Sequence, residues 1–65
     1  MHIEKTELVP RADGSHKKWI MGTCTSSEEK PTEGIAFGSR LMEIDTATLY
    51  HFDEDNSEWL PWKGA

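Results

Sequence analysis

The groups in this chain best suited to chemistry are three histidines, one cysteine and an acidic run near the C-terminal end. His2, His16, His51 and Cys24 are the soft metal ligands, and none stands at the short spacings that structural zinc sites use. They read as ordinary surface or strand residues. Asp53-Glu54-Asp55-Asn56-Ser57 places oxygens at alternate positions, as the start of a calcium loop does. Glu58, however, stands where such a loop needs its glycine, and Gly64 where it needs its closing glutamate. A solvated turn is the expected reading. Cys24 could act as a nucleophile beside a histidine, but no third group is indicated and so small a sheet leaves little room for a substrate pocket. The expectation is no catalysis, no metal and no cofactor, with Cys24 a small half-buried residue at a strand end.

The tryptophans are more informative, because an indole buries a large area, keeps an N–H that wants a partner, and concentrates at protein interfaces. Trp19 and Trp59 are candidates for the core. Trp62 follows Pro61 at the end of an edge strand, where one short chain has little wall to bury it. Trp62 and Leu60, with Ile35, Phe37 and Trp59, form the candidate protein interface.

The elements that position these residues must fit in 65 residues, which allows a single domain spanning 1–65. A chain of this size buries only about 60% of the surface its unfolded form exposes, so support from a metal, a disulfide or a partner is common. One cysteine excludes an internal disulfide. Seven basic against twelve acidic residues give a net charge of -5, which repels phosphate backbones and anionic lipid surfaces, so neither nucleic acid nor membrane is expected as a partner. The opening MHIEKTELVPR has no apolar run of the signal-peptide kind, and no cleaved leader is expected.

The chain reads as mostly β, a small antiparallel sheet or barrel-like meander of five strands near 2–9, 16–24, 39–44, 48–53 and 58–62. Residues 1–24 form an N-terminal hairpin around Pro10-Arg11-Ala12-Asp13-Gly14-Ser15, where proline and Asp-Gly supply the reversal. Residues 25–38 are a loop with an apolar island, Ile35 to Phe37, pinned to the core or to a partner. Ser26 or Ser27 ahead of Glu28 and Glu29 suits a short helical turn that Pro31 would stop. Residues 39–62 form a three-stranded meander, with Pro61 confining the last strand to an edge.

A three-residue reversal at Asp45-Thr46-Ala47 sets Ile44 against Thr48, Met42 against Tyr50 and Arg40 against Phe52. That register is preferred over a two-residue loop because it gathers Met42, Ile44, Tyr50 and Phe52 on one buried face. No helix is long enough to cover such a sheet, so either it curls into a barrel or another protein covers the open face.

From Lys30 to Trp62, KPTEGI and the following GSRLMEIDTATLYHFDEDNSEW resemble a segment of small and fibre-like proteins of tailed phages and prophages. The shared pattern is a Lys-Pro loop, a Gly-Ser step into a strand ending Glu-x-Asp-Thr, a reversal, an aromatic strand ending in Asp, a polar turn and a Trp. Ala47 stands where such segments often carry glycine. The resemblance implies no active site. It implies a non-enzymatic viral structural protein of the virion, such as a head (capsid) decoration or fibre-type module, made in the host bacterial cytoplasm. It would bind other virion proteins, capsid or tail, through protein-protein contacts, as a homo-oligomer. The alternative from a different class is a small acidic phage-encoded inhibitor of a host defence protein or enzyme, its charge mimicking nucleic acid in a basic groove.

Overall fold

The computed structural model describes residues 1–62. Five strands form: β1 (His2–Pro10), β2 (His16–Cys24), β3 (Arg40–Glu43), β4 (Thr48–Asp53) and β5 (Glu58–Pro61). They make one open sheet in the order β1-β2-β3-β4-β5, with no helix among the described residues. The mostly β expectation therefore holds, but the sheet is mixed, since β2 and β3 run parallel while every other pair is antiparallel. It does not close into a barrel, and β1 and β5 are its edges.

Parallel neighbours need a long connection that carries the chain back to the starting end of the sheet. Residues 25–39 supply it without a helix, and in doing so they cover one face. Ile35 and Ala36 of this segment are buried. Lys30 reaches Glu43 and lies over the Tyr50 ring, its Nζ 4.3 Å from the centroid. The Trp59 indole N–H donates to the Pro31 carbonyl at 2.7 Å. The cover is thus the chain's own crossover, a third solution beside the barrel and the external partner. Near its start, the Thr25 N–H donates to Glu28 Oε1 at 2.9 Å and the Glu28 N–H to the Thr25 carbonyl at 3.1 Å, a single capped turn.

The core under this cover is Ile20, Cys24, Ile35, Leu41 and Phe52, with Trp59 packed against it. Ser39 is buried with them and is satisfied on both sides. Its Oγ accepts from the Ile20 N–H at 3.0 Å and donates to the Ala36 carbonyl at 2.9 Å. A second tie holds the hairpin tip to the far end of the sheet, where the Arg11 guanidinium and the Phe37 N–H both donate to Glu54 Oε1.

The register of β3 on β4 differs from expectation. Arg40 faces His51, Leu41 faces Tyr50, Met42 faces Leu49 and Glu43 faces Thr48. The reversal is therefore four residues, 44–47, and Ala47 closes it at φ 55°. The β4–β5 reversal, 54–57, is built the same way, with Ser57 at φ 51°. One residue of slip exchanges the two faces of a strand. Leu41 is consequently fully buried, whereas Met42 and Ile44, expected inside, are exposed.

Candidate binding surface

Alternation along each strand assigns the side left uncovered. Because directly paired residues share a face, the partners Met21 and Arg40, Arg40 and His51, Met42 and Leu49, and His51 and Leu60 all project to the side opposite Leu41 and Phe52. Trp62 continues this row just past β5, its N–H donating to the Leu49 carbonyl at 2.6 Å. Its indole leans on the His51 imidazole with centroids 4.7 Å apart at 47°. Arg40, Leu49, His51 and Trp62 together line a hollow of about 160 Å³.

His51 is shared with a second hollow beside it, lined also by Phe37, Phe52, Asp53, Asp55, Asn56 and Leu60. Trp62 is 56% exposed and Leu60, Met42 and Phe37 are exposed as well. The open face therefore carries an aliphatic and aromatic strip with a guanidinium on one wall and carboxylates at the far rim.

The remaining reactive groups are tied into the fold. Among the described residues, no group of three or more His, Cys, Asp or Glu side chains is placed to hold a metal ion. Asp53 accepts from the Asp55 N–H at 3.1 Å and from the Asn56 amide at 2.8 Å, so the acidic run is bound up in closing its own turn. Cys24 is buried, and burial raises its thiol pKa above the usual value against the opposing charge of nearby Lys30. A thiol held protonated in this way is a poor nucleophile.

Comparison with family models, with curated proteins and with solved structures found no match.

What the site can do must be read from its own side chains. Of the residues expected at an interface, Trp62, Leu60 and Phe37 are exposed, Trp62 lining the first hollow and Leu60 and Phe37 the second. Ile35 is corrected to a core residue, since it bridges to Lys18 in the sheet and is 5% exposed. Trp59 is half-buried against Phe52, centroids 5.0 Å apart, with its N–H satisfied by Pro31, so it lines the core. Arg40 and Met42 belong to the surface but escaped sequence reasoning, because the assumed register turned the face of β3 over; Leu49 and His51, whose outward placement follows from burying Tyr50 and Phe52, were not singled out. The available signal was the matched length of the two reversals, Ile44–Ala47 and Glu54–Ser57, which fixes the β3 register by analogy with β4.

Proposed function

We propose that this chain is a non-enzymatic protein-binding module, a structural component of a tailed-phage virion, which docks a capsid or tail protein on its open sheet face. The observation that carries the reading is the exposed Trp62 stacked on His51 beside a hollow walled by Arg40 and Leu49. A sheet face that keeps an indole, a leucine and a methionine in water has an unmet gain from burial, about 25 cal/mol for each Å² covered. A space of this size takes one apolar side chain. The partner that fits inserts such a side chain between Leu49 and Trp62 and sets a carboxylate against Arg40. The resemblance of Lys30–Trp62 to virion proteins supports a virion surface as that partner.

The test is co-purification. Particles made with the wild-type chain are expected to retain it by mass spectrometry, and particles made with Trp62→Ala/Leu60→Ala are expected to lose it while the variant stays folded. Absence of the wild-type chain from purified particles, or its capture in stoichiometric complex with a host enzyme instead, would sink the virion assignment.

A further inference from the structure

β1 is an edge strand of nine residues, exposed along almost its whole length and paired only on its β2 side. Such an edge is a template for another strand unless it is protected. The protection here is partial, a register shift between Ile3 and Lys5 and a proline at its end. From Lys5 to Pro10 the pairing with β2 is regular.

The hairpin closure shows which backbone groups of β1 remain free. The Arg11 N–H donates to the Ser15 carbonyl at 2.8 Å. Ladder bonds recur at every second residue of an antiparallel pair, so Val9, Glu7 and Lys5 turn their N–H and C=O groups toward β2. Leu8 and Thr6 turn theirs outward. Two details agree: Pro10, which has no N–H to offer, falls in the outward set, and Lys18, opposite Leu8, gives its N–H to Gly34 at 2.8 Å, away from β1.

From this geometry we infer that β1 pairs antiparallel with β1 of a second copy of the chain, with Thr6 on the two-fold axis. Outward residues bond only to outward residues, so Thr6 and Leu8 must meet even-numbered partners, and registers that set Glu4 against Glu7 are excluded. Three central registers remain. One places Lys5 on Lys5 and another places Glu7 on Glu7, each a like-charge contact across the strands. The third sets Thr6 on Thr6, Lys5 on the second copy's Glu7 and Glu7 on its Lys5. Lys5 and Glu7 already pair within one chain at 3.1 Å, so the dimer closes a square of four charges with opposite signs on every side. Lys5 and Glu7 share the open face with Met21 and Trp19, their β2 partners. A two-fold axis normal to the sheet therefore leaves both open faces on the same side of a continuous ten-stranded sheet, with the two Trp62 hollows at its opposite ends.

Sedimentation of the full chain across a concentration series tests this. A monomer–dimer equilibrium is expected. Lys5→Glu or Glu7→Lys alone is expected to weaken it about tenfold or more, since two attractive cross-strand pairs become repulsive. The exchange Lys5→Glu/Glu7→Lys is expected to return the affinity to within about threefold of wild type. Thr6→Pro removes an outward N–H and no bond to β2, so it is expected to abolish the dimer while circular dichroism and Tm show a folded chain. A wild-type chain that stays monomeric, or a dimer indifferent to the single charge reversals, overturns the inference. The Trp62 and Leu60 substitutions leave this equilibrium unchanged, which separates it from the docking of a virion protein.

Discussion

Lys30 Nζ lies 2.7 Å from Glu43 Oε2, joining the middle of the crossover segment to the last residue of β3 on the covered face. Thr46 adds a hydroxyl bond of 2.6 Å to the other carboxylate oxygen. The Glu43 residue is only 5% exposed, so its charge is satisfied from two sides within the fold. A crossover without a helix has no internal hydrogen-bond ladder to stiffen it, and this bond, with Trp59 on Pro31, keeps it over the core.

A pH dependence follows. The hydrogen bond from Lys30, and then that from Thr46, hold the Glu43 carboxyl below its usual 4.5, and the same ion pair raises Lys30 above 10.5. Hydrogen bonds from Ser26 and Ser15 lower Asp45 and Asp13 in the same way. For each carboxylate the unfolded chain takes up its proton at higher pH than the folded one. Their stabilisation is therefore complete above the ordinary carboxylate range and is lost as pH falls through the lower folded values. Lys30 contributes fully below 10.5 and loses its share as pH rises past its folded value. Denaturant titrations are expected to show stability declining below about pH 4.5. Glu43→Gln should give a lower plateau and a shallower acid limb, and an unchanged limb would show that Glu43 takes no part.

Gly22 is the place where β1 presses hardest on β2. A Cβ there would stand 2.1 Å from the His2 carbonyl oxygen and 2.9 Å from the Ile3 Cα, both backbone atoms that cannot rotate aside. Gly22→Ala is expected to cost about 2–3 kcal/mol, with loss of amide protection in the first residues of β1. Wild-type protection at His2 and Ile3 in the alanine variant would contradict the close approach.

The two matched reversals predict gains in stability. Ala47 and Ser57 sit at φ 55° and 51°, a region that costs an L-residue about 1–2 kcal/mol and glycine almost nothing. Ala47→Gly and Ser57→Gly are each expected to raise stability by about 1 kcal/mol in urea titrations, somewhat reduced by the greater freedom of glycine in the unfolded chain. A loss of stability in both would refute the four-residue turn geometry.

Leu41 and Trp62 separate folding from docking. Leu41 has no exposed surface, and Leu41→Ala is expected to cost about 2–5 kcal/mol, enough to threaten a domain this small. Trp62→Ala removes a side chain already more than half in water, and a change within about 1 kcal/mol is expected. Equal losses at the two positions would place Trp62 in the core and remove the open hollow.

Much of the architecture was legible in local pattern. His16 to Cys24 alternates and ends where expected, and β4 and β5 begin at Thr48 and Glu58 as the polar breaks imply. Pro61 lies on an edge strand, as the missing N–H requires. The face of β3 was not legible, because Leu41, Met42 and Ile44 are all apolar and any register buries some of them. Of the candidate surface, Trp62 and Leu60 were identified from their place on the edge strand and Phe37 as part of an apolar island, while the outward placement of Arg40 and Met42 depended on the register of β3.

Residue types and turn chemistry alone indicated a mostly β chain of five strands with reversals at residues 10–15, 45–47 and 53–57, close to those found, since each of those features is set by neighbours a few positions apart. Tertiary structure decided the parallel placement of β3 beside β2, the use of residues 25–39 as a lid, and which face of β3 meets water. Those outcomes depend on contacts between distant segments, such as Lys30 with Glu43 and Trp59 with Pro31, whose energies no local window contains.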